Sequence, residues 1–186
     1  MNPQTMPYAR TNYRLIDIQL GFRSIDTNLT QGAQGGIKGT QPTPHAAIHG
    51  ADELHAHPIF ARARVTAGDG PGTHSTMNEA AMQTELVAVF NDANMQHFLA
   101  QVDGGNDATI NVNLTATPGV ATVHKANKGG PGATTTQGAV VAFFLKIRPN
   151  PGNKDVPIIQ TCVPMTTPYT AGQLKTKKGV VKGFTH

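Results

Sequence analysis

The sequence predicts an α+β fold: a central, mostly antiparallel sheet, a helical segment at about 75–103 and long Gly/Pro-rich loops. Three observations lead there. Segments after residue 108 alternate apolar and polar residues with the period of a strand, whereas residues 79–102 carry apolar side chains at helical spacing. The chain holds 20 Gly and 13 Pro in 186 residues, a punctuation that suits short elements joined by loops rather than a helical bundle. Hydrophobic residues make up 38% and there is no Trp, so the core is lean. The length supports one well-buried core and leaves little room for a second.

The elements follow in order. In YRLIDIQLGFRSI (13–25), Ile16, Ile18, Leu20 and Phe22 fall on one side, with Asp17 and Gln19 opposite, the pattern of a half-buried strand. Residues 28–46 are rich in Gly, Gln and Thr and include QPTPH, a long loop of the kind that is functional or mobile. A short helix is expected over 46–56, ended by Pro58. Residues 59–67 extend it or form a strand, and AGDGPG (67–72) breaks the chain.

Thr76-x-x-Glu79 has the capping-box pattern, and Met82, Leu86, Val89 and Phe90 recur behind it as one helix face. Asn91-Asp92 interrupts this helix and caps a second, which carries Met95, Phe98, Leu99 and Val102 and stops at Gly104-Gly105. His97 reads as a surface or boundary residue of that helix. Ile110, Val112 and Leu114 mark one strand, and GVATVHK (119–125) a second after a Pro-Gly turn. AVVAFFLKI (139–147) is a continuous apolar run, as expected of a central strand covered on both faces. RPNPGNKD (148–155) is a turn, VPIIQTCVP (156–164) the last strand, and 165–186 a basic tail. The organisation so read is an N-terminal strand and mobile loop (1–44), a single α+β domain (45–164) and the tail (165–186).

The formal net charge is +4, part of it in Lys175, Lys177, Lys178 and Lys182. Such a tail suits nucleic acid or an acidic partner, or serves only as a solvated end. The single cysteine, Cys162, lies in an apolar run and reads as a core residue; no intramolecular disulfide is possible. No apolar stretch approaches the ~20 residues of a membrane span, and the N-terminus lacks the apolar run of a secretory signal. The expected location is therefore the cytoplasm, or export by a specialised secretion system.

Chemistry concentrates in PHAAIHGADELHAHPIFARAR (44–64), which holds His45, His49, His55 and His57 with Arg62 and Arg64; His74 follows. Histidine exchanges protons near neutral pH and is the commonest metal ligand. His45 and His49 share a face if helical, and His55-x-His57 offers a third ligand. However, Pro44 and Pro58 crowd the segment, and neither HExxH nor a Cys-rich partner accompanies it. Gln83-Thr84-Glu85 has the Gln-x-Glu form of some ADP-ribosylating toxins but sits within a helical segment. The remaining reading is RNA cleavage without metal: a base deprotonates the ribose 2′-OH, an acid protonates the leaving oxygen, and cations or donors stabilise the phosphorane. His49, His55, Arg62, Arg64 and Thr161 are of the right types.

The order of these features resembles the RNase A-like toxin domain found at the C-termini of bacterial contact-dependent-inhibition and other polymorphic toxins. His49 and Arg64 match its His-bearing helix and following Arg. His55 falls near its occasional second His, and Ser75-Thr76-Met77 matches its entry to a long helix. Thr161-Cys162-Val163-Pro164 stands where its Thr-x-Tyr-Pro strand ends, with Val163 in place of the tyrosine. The resemblance spans roughly 45–164. It implies His49 as base, His55 as acid, Arg64 as phosphate contact and Thr161 as hydroxyl donor, with His124 and Lys125 adding positive charge toward substrate. It further implies RNA as the partner molecule, an immunity protein, and no cofactor or metal. A self-assembling coat or filament subunit is the alternative that lean aromatics, long loops and a basic tail also suit; only then is a homo-oligomer expected.

Overall fold

The computed structural model describes residues 8–24, 72–126, 133–175 and 178–186. The loop expected at 28–46, the short helix at 46–56 and the segment at 59–67 lie outside the described residues.

Residues 13–25 are where the structure departs first from the alternating pattern. They contain a helix, α1 (Leu15–Arg23), not a strand. Positions 18 and 22 satisfy both a period of two and a period of 3.6, and the core selects the second: Ile18 and Phe22 are fully buried while Ile16 and Leu20 are nearly half exposed. The helix start is fastened by Asp17, whose carboxylate accepts from the Arg14 backbone N–H at 2.9 Å and lies 3.6 Å from the Arg10 guanidinium. Gly21 lets α1 settle on the sheet, since a Cβ there would stand 2.9 Å from the Pro157 carbonyl oxygen.

The chain continues through β1 (Gly72–Thr76), α2 (Glu79–Asn91), α3 (Met95–Asp103), β2 (Ala108–Asn113), β3 (Val120–Ala126), β4 (Ala133–Ala139), β5 (Ala142–Arg148), β6 (Ile158–Met165), α4 (Ala171–Leu174) and β7 (Gly183–Thr185). The helical segment therefore begins later than the capping-box pattern suggests. Thr76 ends a strand, and Asn78 is the N-cap, its side chain accepting from the Ala81 N–H at 3.0 Å. The reason is tertiary: the Ser75 hydroxyl donates to the Pro164 carbonyl at 2.7 Å and holds this segment to β6. The interruption after Asn91, the second helix and the stop at Gly104-Gly105 stand where expected, with Gly105 at φ +84°.

Among the described residues two sheets result, β1-β3-β4 and β6-β5-β2-β7. All pairings are antiparallel except β2 with β7. Met82, Leu86 and Phe90 of α2 and Phe98, Leu99 and Val102 of α3 join Ile110, Val112, Phe143, Leu145 and Ile147 in the core. The apolar run 139–147 is not one strand covered on both faces. It divides at Val140–Val141, where the Val140 N–H donates to Gly119 and the Val141 N–H to Met165. Beyond the division Phe143, Leu145 and Ile147 are buried, whereas Phe144, Lys146 and Arg148 are half-buried on the other face.

Residues 165–186 are built into the fold rather than trailing from it. Phe184 is buried, and β7 runs parallel to β2. The Asn111 side chain donates to Gln173 O, and Asn113 exchanges two bonds with the Tyr169 backbone. His186 Nδ1 lies 2.8 Å from Asp92 Oδ2 at the end of α2. The seven residues from Phe184 back to Lys178 include four that mask this role in sequence, because Lys178, Gly179, Lys182 and Gly183 look like solvated tail.

Two outcomes test this architecture. Phe22→Ala is expected to cost about 3–5 kcal/mol in chemical denaturation, and Leu20→Gln less than about 0.5 kcal/mol; a strand would make the two comparable. In Gly183→Ala the new Cβ collides with the Asn111 carbonyl oxygen. Hydrogen exchange at Phe184–His186 should accelerate in that variant while β5 amides stay protected.

Candidate functional site

His49, His55 and Arg64, with His45, His57 and Arg62, lie outside the described residues. Thr161, His124 and Lys125 lie within them. Helices α2 and α3 cover one face of the four-stranded sheet. On the opposite face, the register Thr109↔Lys146↔Thr161 sets a hydroxyl, an ammonium and a second hydroxyl in one row across β2, β5 and β6. Residues directly opposite in an antiparallel pair lie on the same side, with Cβ atoms about 4.5–5.5 Å apart. The register shift after Lys146 places Gln160 as the extra residue, and Ile159 then pairs with Ile147. Thr161 is buried at 8% exposure, and the Lys146 side chain retains 35%.

Arg148 follows Lys146 by two residues and so shares its face. One carboxylate serves both: Asp107 Oδ2 lies 3.4 Å from Lys146 Nζ, and Asp107 Oδ1 accepts from Arg148 Nε at 2.9 Å. Asp107 thus pairs with both cations of this corner. Partly exposed pairs of this kind contribute about 0–1 kcal/mol, so their main effect is to hold the side chains in place.

The three-stranded sheet carries the other site residues. His124 pairs with Thr135 on one side and His74 on the other, and its Nδ1 lies 3.2 Å from Thr135 Oγ1. Lys125 is the next residue of β3. Successive strand residues point to opposite faces, so His124 and Lys125 do not share one. Thr161 belongs to the other sheet, and no strand pairing joins it to either.

Burial lowers the His124 pKa from its ordinary 6.5. Because the folded value is depressed, neutral His124 contributes stability that is fully present above the ordinary value and lost as pH falls through the depressed one. An NMR titration of the His124 imidazole should show a midpoint below 6.5; a midpoint above it would contradict the burial of this ring.

Other sequence candidates resolve into structural roles. Cys162 is fully buried, and burial pushes its thiol well above its usual range, which suits a core residue and not a nucleophile. Gln83 is buried on α2 and donates to Glu79 at 2.7 Å, while Arg23 donates to the same carboxylate oxygen at 2.8 Å. The Gln-x-Glu segment is thus helix structure. His97 is exposed on α3. Among the described residues no group of three His, Cys, Asp or Glu could hold a metal ion.

The residues that sequence reasoning missed are Lys146, Arg148 and Asp107. A signal existed for two of them. Lys146 is the only charged residue of AVVAFFLKI, and Arg148 repeats it at the period of a strand. No family model, no curated protein and no solved structure matches this chain. The described residues define an α+β protein of two joined sheets with a cation-and-hydroxyl face. Among them no helix is long and apolar enough to cross a membrane.

Proposed function

We propose that this chain is a metal-independent ribonuclease of the toxin or effector type, cleaving RNA through attack of the ribose 2′-OH on the adjacent phosphate. The observation that carries this reading is Thr161 beside Lys146 on the sheet face opposite α2 and α3. It sits in a chain whose His49, His55 and Arg64 precede it in the order of the RNase A-like toxin domain. In this mechanism His49 takes the 2′-OH proton and His55 protonates the leaving 5′ oxygen. Arg64 and the Thr161 hydroxyl stabilise the phosphorane, whose equatorial oxygens gain charge as it forms. Lys125 adds positive charge along the RNA, whereas His124, its pKa lowered by burial, does so only in acid. The natural antagonist of such an effector is an immunity protein.

The test is cleavage of total cellular RNA in excess EDTA. The wild type is expected to cleave, His49→Ala and Arg64→Ala to lose about 10²–10⁴-fold, and Thr161→Val to lose activity while remaining folded. RNA left intact by the wild type overturns the reading. A large apparent mass on size exclusion would then favour an assembly subunit.

A further inference from the structure

The Lys146 ammonium is the less committed of the two cations that Asp107 holds. Arg148 takes Asp107 Oδ1 in a short bond of 2.9 Å, whereas Lys146 Nζ stands 3.4 Å from Oδ2. An ammonium has three N–H donors, and Asp107 is an acceptor for one of them. Its side chain retains 35% exposure. On one side stands the exposed Thr109, and on the other Thr161. A phosphate oxygen resting over β5 can accept from the ammonium while a second oxygen of the same group accepts from the exposed Thr109 hydroxyl on β2, strand spacing being about 4.8 Å.

We propose that Lys146 is the phosphate-binding cation of this sheet face, contacting the backbone phosphodiester of a single-stranded nucleic acid beside Thr161, with Asp107 as the residue that positions it. This rests on the ribonuclease reading for its substrate, RNA, but not for its chemistry, which is recognition of the phosphodiester itself. A positioned ammonium costs little to bring to the phosphate, because the Asp107 carboxylate already restricts the long lysine side chain. The sheet beneath it is rigid, since Leu145 and Ile147, its neighbours in β5, are fully buried.

The experiment measures anisotropy of a fluorescent single-stranded oligodeoxynucleotide over a series of salt concentrations. This probe has the phosphodiester backbone and lacks the 2′-OH, so binding is read without cleavage. Wild type, Lys146→Gln, Lys146→Arg and Lys154→Gln are compared, with thermal melts to verify folding and RNA cleavage assayed in parallel. Lys154 is exposed in the turn after β5 and controls for loss of one charge. Lys146→Gln should weaken binding roughly tenfold and lower the salt slope by about 0.7, the value of one single-strand phosphate contact. Lys146→Arg should restore most of the slope, and Lys154→Gln should leave it unchanged.

The proposal is overturned if Lys146→Gln is folded and keeps the wild-type slope, or if Lys154→Gln lowers the slope equally. The two readings fail separately. Binding that depends on Lys146, without RNA cleavage by the wild type, keeps the phosphate contact and removes the ribonuclease. Cleavage unaffected by Lys146→Gln, with an unchanged slope, does the reverse.

Discussion

The fold depends on the crossover at Val140–Val141. There the chain leaves the three-stranded sheet as the end of β4 and enters the four-stranded sheet as the start of β5. Each backbone group at the crossover is claimed by a different segment: Val140 N–H by Gly119, Val141 N–H by Met165, and Val141 O by the Leu114 N–H. Val140 is fully buried, so its bond forms away from water, where an unmade bond would cost about 1–3 kcal/mol. This short stretch of backbone, together with the Ser75–Pro164 bond from β1 to β6, fixes the two sheets to each other.

From that anchor the rest follows by burial. β5 lies between β2 and β6 and sends Phe143, Leu145 and Ile147 toward α2 and α3. Its alternate residues, Phe144, Lys146 and Arg148, must then face the other way. The N-terminal segment closes the opposite end. The Tyr8 and Ala9 N–H groups donate to the Asp103 carboxylate, and the Asn150 N–H donates to the Tyr8 hydroxyl at 2.9 Å. Asn150 is buried and also donates through its side chain to Val156 O, so the turn after β5 is a satisfied polar knot rather than a loose loop. The position of Lys146 is therefore a consequence of core packing on the far side of its own strand.

Much of this was legible in sequence where the period was unambiguous. The α+β class, the helix break after Asn91, the stop at Gly104-Gly105 and the strand through Ile110 and Val112 all rest on local patterns that the core reinforces. The errors arose where local pattern and tertiary demand diverged. Ile16 through Phe22 fits two periods, and only docking on Pro157 and Ile159 chooses between them. Val140–Val141 looks like mid-strand because a crossover between two sheets is as apolar as a central strand. Phe184 is one aromatic among lysines and glycines, and nothing local announces that β7 joins β2. In the candidate site, Thr161 was named from its place in a motif. Lys146 carries a local signal as the lone charge of an apolar run, but its position between Thr109 and Thr161 comes from register with two other strands, which a single segment does not encode.

The most direct test of the account is backbone chemical-shift mapping of the full chain with a single-stranded oligodeoxynucleotide. The account predicts perturbations centred on Thr109, Lys146 and Thr161, three residues far apart in sequence and joined only by the sheet. Perturbations confined to the basic stretch 175–182, with β5 and β6 silent, would contradict it and make the charge of that stretch the sole source of any binding.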